Sequence, residues 1–557
     1  MSLLRRYTAL LFFFLLGALH SLSFAAQPLP TAVLPYVQLI TLTLLIYQLN
    51  IRPTARARLA PAFFFALGNF LLGLYWLFIS LHIYGELPAL LSLIAVVLFN
   101  ALLSVFYLLV ALCHAWLLPR LKIQRSAQAF ANALLWASLW TLFEWLRGTL
   151  FTGFPWLNIG YAHIDGALAG WAVITGAYGV TWVAVFTAAA LACFFQMHRQ
   201  PEHTEHTENT ENTTATNTAP AAPKKNWQSS SILIGAFVLN IAGLIIHGIQ
   251  WSTPTEEAFF IRLTQGNVPQ SMKFDPERFE AGIQTYYELT ALPAKDPEAQ
   301  PAVIVLPETV IPVFQDRLPA HFWQQWVDLA RQKNATLLMG LPLYDGETGE
   351  YTNSVVSIDA DTTALDIMQL NLAHRYDKHH LVPFGEFIPA GFGWFIDMMK
   401  MPLGDFQRGA LGQAPFEIAQ QRIAPDICYE DVFGEEIIRS VRAQPGSPGA
   451  TMLINISNLG WFGDTWALRQ HLQISRMRAL ETARPMIRST NTGITAVIDP
   501  DAVVRALLPQ GTVGVLDVEV QGYTGMTPYV RWGNLPILAL SLVLIVGLGL
   551  SRKRLNR

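Results

Sequence analysis

Ile423-Ala424-Pro425-Asp426-Ile427-Cys428-Tyr429-Glu430-Asp431 decides how this chain is read. A short apolar run, Ile423 to Ile427, reads as a strand and ends on a cysteine. Side chains at the ends of sheet strands are held rigidly and face a crevice. The other two cysteines, Cys113 and Cys193, lie inside long apolar runs. With no thiol nearby to pair with, Cys428 is either a small buried residue or a nucleophile. A nucleophile attacks as thiolate, which calls for a neighbouring base or cation. Two groups upstream qualify: Glu308 in Val305-Leu306-Pro307-Glu308, and Lys378 in Arg375-Tyr376-Asp377-Lys378-His379-His380. Taken singly, each has an ordinary reading: a solvated carboxylate at a strand end and a lysine on a charged surface. His379 and His380 are adjacent and point to different sides, so no metal is expected there, and no cofactor.

Around these residues the segment 251–531 reads as α/β. Runs rich in Val and Ile at 258–263, 302–307, 336–343, 353–358, 423–427, 451–457 and 494–498 read as strands. Phe322 to Lys333 and Thr465 to Ala483 read as helices. That length is enough for one well-buried domain.

The rest of the chain is membrane. Hydrophobic residues make up 52% and charged residues 14% of the 557, too apolar for an ordinary soluble protein. A span takes about 20 apolar residues. Such stretches run over 7–26, 31–50, 61–84, 88–118, 127–146, 167–196 and 229–250, with a shorter one at 535–550. About eight spans are expected. The domain reading is a membrane part over 1–250, a catalytic domain over 251–531, and a last span with basic tail over 532–557. The Thr/Glu/Asn/His stretch 198–226 reads as a disordered linker. Arg5 and Arg6; Arg52, Arg56 and Arg58; Arg120, Lys122 and Arg125; Arg199, Lys224 and Lys225; and Arg552 to Arg557 mark every second loop as basic. The positive-inside rule then puts both termini in the cytoplasm and 251–531 on the outer face, the periplasm of a bacterium. Arg5-Arg6, the apolar run behind it and Ser23-Phe24-Ala25-Ala26 also resemble a signal peptide; the orientation of the rest is the same either way. The net charge of −3 suggests no nucleic-acid partner, and no zinc, phosphate-loop or serine-hydrolase motif stands outside a span.

The order Glu, Lys, Cys in the settings Leu-Pro-Glu308, Tyr-Asp-Lys378 and Ile-Cys428-Tyr-Glu430 resembles the nitrilase superfamily, whose triad sits on an α-β-β-α sandwich. Several further stretches narrow the resemblance to the apolipoprotein N-acyltransferases. They are Thr152-Gly153-Phe154-Pro155-Trp156-Leu157 with Gly160-Tyr161, Gln265 to Gln270, Lys378 to Pro389, Ile456-Ser457-Asn458 with Trp461-Phe462-Gly463, and Arg476 to Glu481 continuing through Arg488 to Thr495. It covers nearly the whole chain except 198–226. Two residues depart from the pattern: Phe274 where a tryptophan often follows Lys273, and Leu459 where an aspartate often follows Ser457-Asn458.

The resemblance implies an enzyme that moves an acyl chain from a phospholipid, typically phosphatidylethanolamine, to the α-amine of the diacylglyceryl-cysteine of an apolipoprotein. It implies Glu308 as base, Cys428 as nucleophile carrying a thioester, and Lys378 at the oxyanion. Glu386, Tyr429 and Glu430 would support them. Phe274, Trp461, Trp156, Tyr161 and Arg147 are substrate-binding candidates; the last three also read as interfacial aromatics and a snorkelling arginine. A membrane-bound amidase and a non-enzymatic membrane scaffold are the rival readings. The first leaves the spans unexplained, and the second lacks a lost triad residue.

Overall fold

A computed structural model describes residues 3–25, 29–118, 123, 125–199, 227–275, 277–389, 391–396, 404–443 and 448–555. Period-two alternation builds the domain that follows the first helices. In β2 (Val303–Val305), Val303 and Val305 point one way, while Ile304 and the following Leu306 point the other. The first pair enters an apolar layer shared by two sheets. The second pair meets helices Phe279–Ala291 and Ala320–Lys333 through Tyr286, Trp323 and Trp326.

The first sheet runs β12 (Gly514–Gly525), β1 (Ser252–Gln265), β2, β3 (Thr336–Tyr344), β4 (Tyr351–Ile358), β5 (Arg375–Asp377). The second runs β11 (Val504–Leu508), β10 (Thr495–Ile498), β9 (Met486–Thr490), β8 (Met452–Ser457), β7 (Gln421–Ile427), β6 (Phe416–Ile418). At the centre of each sheet the neighbours are parallel, β1–β2–β3 and β7–β8–β9. Ile423, Ile427, Met452, Ile454 and Ile456 face Ile261, Val305 and Leu338 across the middle layer. On the outer side of the second sheet, Ala424, Leu453 and Met486 pack on Ile437, Ile438 and Ala479 of helices Gly434–Val441 and Trp466–Thr482. The expected α-β-β-α sandwich is therefore present.

Among the described residues, four helical stretches are long and apolar enough to span a bilayer: Thr31–Asn50, Ala89–Leu117, Ala169–His198 and Ser230–His247. A fifth candidate, Ala55–Gly73 with Trp76–Tyr84, is bent by 53°. The apolar parts of the first and last helices, Tyr7–Ser21 and Leu535–Ser551, are shorter. The stretch expected over 127–146 forms the helix Ser126–Thr149, whose Glu144 and Arg147 are buried inside the bundle. Several candidate spans are thus present, a coarser result than the eight expected. Helices Leu3–Ser21 and Ala55–Gly73 cross closely because a Cβ on Gly17 would meet the Phe65 carbonyl and one on Gly68 the Phe14 carbonyl. The expected linker lies outside the described residues from position 200 onward.

At one end of the bundle Arg58 contacts His114, His114 contacts Asn132, Asn132 Nδ2 donates to Cys193, and Asn50 Nδ2 donates to Gln196. At the other end the bundle meets the sandwich. Trp76 and Trp156 both donate Nε1–H to Gln470 Oε1, at 3.1 and 2.8 Å. The Ala177 N–H donates to Glu481 at 2.6 Å.

Candidate active site

Three strand ends converge. Glu308 lies just beyond β2, Lys378 directly follows β5, and Cys428 directly follows β7. The Lys378 N–H donates to the Asn353 carbonyl at 2.8 Å, which carries its chain on from the sheet ladder. Lys378 Nζ donates to Glu308 Oε1 at 3.2 Å and to Glu386 Oε1 at 2.8 Å. Asn353 Nδ2 donates to the same two carboxylates at 2.9 and 2.8 Å. Glu308 Oε2 accepts from the Asn458 N–H at 2.9 Å, and Glu386 Oε2 from the Val382 N–H at 2.8 Å. Both carboxylates are thus fixed by a cation and by neutral donors, with Glu308 and Lys378 almost wholly buried.

Cys428 adopts φ +54°, a left-handed conformation for a residue with a side chain. Such strain persists only where the surroundings over-determine it. Here the Cys428 carbonyl accepts from His471 Nε2 at 3.0 Å and from Asn455 Nδ2 at 3.3 Å. Arg488 donates to His471 Nδ1 at 2.9 Å, so Nε2 carries the ring proton. Burial, and Arg488 beside it, hold this imidazole well below its usual range. Glu430 fixes the other side of the turn. It accepts from the N–H groups of Ile427, His379 and His380 at 2.7, 2.7 and 3.0 Å, and from the Tyr376 hydroxyl. One carboxylate therefore ties the Cys428 turn to the Lys378 loop. Burial pushes Glu430 up to about 7 against the pull of those donors.

Electrostatics set the roles. Burial, then the Glu308 carboxylate, raise the Cys428 thiol well above its ordinary value, while Lys378 pulls the other way. At neutral pH the resting group is thiol, so attack requires a base. Burial disfavours charge on Lys378, but Glu308 and Glu386 outweigh it and hold the ammonium protonated.

The remaining candidates fall in two places. Phe274 and Trp461 are half-buried partners, with ring centroids 5.7 Å apart, and Tyr84 lies against Trp461 at 5.9 Å. Trp156, Tyr161 and Arg147 lie instead in the seam between bundle and sandwich, all three buried. Trp156 stacks between Tyr429 and His471, at 6.5 and 5.7 Å. Tyr161 donates to the Val432 carbonyl at 3.3 Å, and Tyr429 donates to the Gly153 carbonyl at 3.0 Å. Arg147 donates to the Phe154 and Trp156 carbonyls at 2.6 and 2.7 Å and pairs with Glu144 at 3.5 Å. It braces the loop rather than reaching the interface, with Nη1 on the two carbonyls and Nη2 paired with Glu144. Leu459, the second departure, is buried against Gly493. His379 Nδ1 meets the Gly409 carbonyl and His380 Nδ1 meets Glu436, so the adjacent histidines do diverge.

Sequence reasoning missed Asn353, Lys273, Asn458 and His471. Asn458 and His471 lie in or beside the quoted stretches, but a buried amide or imidazole carries no spacing signal. Lys273 Nζ donates to the Glu308 main-chain carbonyl at 2.9 Å.

Residues 16–190 match the apolipoprotein N-acyltransferase N-terminal domain, and residues 261–529 match the carbon-nitrogen hydrolase domain. An apolipoprotein N-acyltransferase of Bordetella bronchiseptica is 46% identical over 97% of this chain and 96% of its own. One of Ralstonia nicotianae is 42% identical over 97% and 92%, and one of Nitrosomonas europaea 37% identical over 92% of each. With a two-sheet sandwich, a membrane bundle and relatives of this similarity over nearly its full length, the chain belongs to the apolipoprotein N-acyltransferase family.

Proposed function

We propose that this enzyme transfers a fatty acyl chain from a phospholipid to the free α-amine of a diacylglyceryl-cysteine at the start of an apolipoprotein. The observation that supports it best is the pairing of a buried Glu308–Lys378–Glu386 cluster with a strained cysteine, mounted on a membrane bundle. Glu308 takes the Cys428 proton as the sulfur attacks the ester carbonyl. The tetrahedral oxyanion grows beside Lys378 and the Tyr429 N–H. Collapse expels the lysophospholipid, which receives the proton, and leaves a thioester. The acceptor amine then attacks the thioester, gives its proton to Glu308, and expels the Cys428 thiolate. Two half-reactions suit two lipid-anchored substrates that share one site in turn.

Glu386 holds Lys378 and Glu430 holds the turn. Phe274 and Trp461, beside Lys273 and Asn458, are the proposed substrate-facing aromatics. Trp156 and Tyr161 shape the same region from the bundle side, and Arg147 acts on it through the loop it braces. Catalysis is proposed on the outer face of a bacterial cytoplasmic membrane, with about eight spans and both termini inside.

Mass spectrometry of the purified protein after incubation with phosphatidylethanolamine alone tests the reading. An acyl adduct is expected on the Cys428 peptide, persisting until a diacylated lipopeptide with a free amine discharges it to an amide. Rapid release of free fatty acid without the lipopeptide would favour the amidase-like alternative.

A further inference from the structure

Lys273 has no part in the chemistry above. It ends the short helix Gln270–Lys273, next to Phe274. Its side chain is buried, and its one hydrogen bond runs to the main-chain carbonyl of Glu308. A buried ammonium is costly unless opposite charge lies near. Burial lowers Lys273 to about 7, and Glu308 and Cys428 are the groups that oppose the fall.

Counting buried charge shows what it does. Lys378 serves two carboxylates at once, Glu308 at 3.2 Å and Glu386 at 2.8 Å. Two anions and one cation leave one negative charge uncompensated beside the thiol. That surplus opposes formation of a thiolate, because like charge disfavours the anion. Lys273 approaches Glu308 from its main-chain side, while Lys378 occupies the carboxylate.

We propose that Lys273 is a positioning residue and second cation of the acyl-transfer site, which holds Glu308 through its main chain and offsets the negative charge left over by Lys378, so that Cys428 can lose its proton. In that step the S–H bond breaks, its electron pair stays on sulfur, and an O–H bond forms on Glu308. Total charge is unchanged, but negative charge moves from the carboxylate to sulfur, within Coulombic reach of the Lys273 ammonium. This rests on the reading of Glu308 as base and Cys428 as nucleophile.

The test uses the full-length enzyme in detergent. Iodoacetamide alkylation of the Cys428 peptide is followed by mass spectrometry across pH, beside thioester formation from phosphatidylethanolamine. Removing the cation makes the proton harder to lose. In Lys273→Met the alkylation midpoint is therefore expected to rise by about one pH unit, and thioester formation at neutral pH to slow by about tenfold. Lys273→Arg, which keeps the charge, is expected to restore most of both. A folded Lys273→Met enzyme with the wild-type midpoint overturns the proposal. So does a folded Lys273→Arg enzyme that behaves like the methionine variant. Should the methionine variant not fold, Lys273→Gln is judged by the same midpoint. Glu308→Gln run in parallel keeps the underlying reading separate: wild-type thioester formation there removes Glu308 as base, whatever the Lys273 midpoint shows.

Discussion

At the scale of single residues, the proposed site divides into groups that would react and groups that hold them. Lys378 is held between two carboxylates as a compact charge. Lys378→Arg brings a planar fork that fits neither position. Turnover is expected to fall by about 10²–10³, the usual loss for an oxyanion donor, and a single-turnover thioester assay reads it. Glu430 accepts four hydrogen bonds that join the Cys428 turn to the Lys378 loop. Glu430→Gln keeps the shape but loses charge-assisted acceptance from at least one N–H. Thioester formation should slow by about tenfold or more, while phospholipid KM stays near wild type. Glu430 also sets a pH dependence. Its folded value, about 7, lies above the ordinary glutamate range, so the folded protein keeps a proton that the unfolded chain gives up. Stability from this carboxyl is full below the unfolded value and is lost as pH rises through the folded one. Glu481, also pushed up to about 7 by burial, adds in the same direction. The melting temperature should therefore fall as pH rises from about 5 to about 7. In Glu430→Gln the slope should be shallower but not flat; an unchanged slope would remove Glu430 from the account.

At the scale of elements, what could be read in the sequence followed burial. β3, β4, β7 and β8 are largely buried on both faces, since one side meets the opposite sheet and the other meets helices. Their Val, Ile and Leu runs stand out for that reason. β5 is three half-buried residues, Arg375–Asp377, and reads as loop. β9 hides because Arg488, Ser489 and Thr490 are polar yet wholly buried, each with a partner distant in sequence: His471, the Thr264 carbonyl and Gln265. β12 is amphipathic and broken by Gly522, so its pairing with β1 along most of its length left no local trace. Glu308, Lys378 and Cys428, the proposed triad, could be picked out because each stands at or just after a strand end. Part of its surroundings was not: Asn353 lies inside β4, where a polar residue in a strand usually signals an exposed face. One position beneath the site has no freedom. A Cβ on Gly340 of β3 would lie 2.7 Å from Glu308 Cα and 2.6 Å from Ile456 Cδ1. Gly340→Ala should cost about 1–3 kcal/mol of stability by overpacking. Because the displaced atom belongs to Glu308, thioester formation should fall further than the melting temperature alone suggests.

At the scale of the whole molecule, the two ends of the bundle carry different chemistry, and this supports an orientation. In the helix Ala172–Arg199, Ala177 meets the sandwich through Glu481, while Cys193 meets Asn132. Sixteen residues of helix separate them, about 24 Å at the usual rise. In Ala55–Gly73, Arg58 lies at the His114 end, and the Gly73 carbonyl accepts from Gln470 at 3.0 Å. Ser126–Thr149 repeats the pattern, with Asn132 at one end and Arg147 under the sandwich at the other. The catalytic domain therefore caps one end of the bundle. The arginines of the 52–58 loop and Arg199 gather at the other. Basic loops stay in the cytoplasm, so the capped end should face out. A reporter active only outside the cytoplasm, fused after residue 300, should be active; one fused within 205–220 should be silent. The bilayer gives this test its force. Thioester chemistry on the inner face would require the basic end to cross, carrying several arginines through hydrocarbon at roughly 2.5–3.5 kcal/mol each by insertion scales. The reverse reporter pattern would mean that the loop arginines do not set the topology, and the proposed eight-span arrangement with both termini inside would fall.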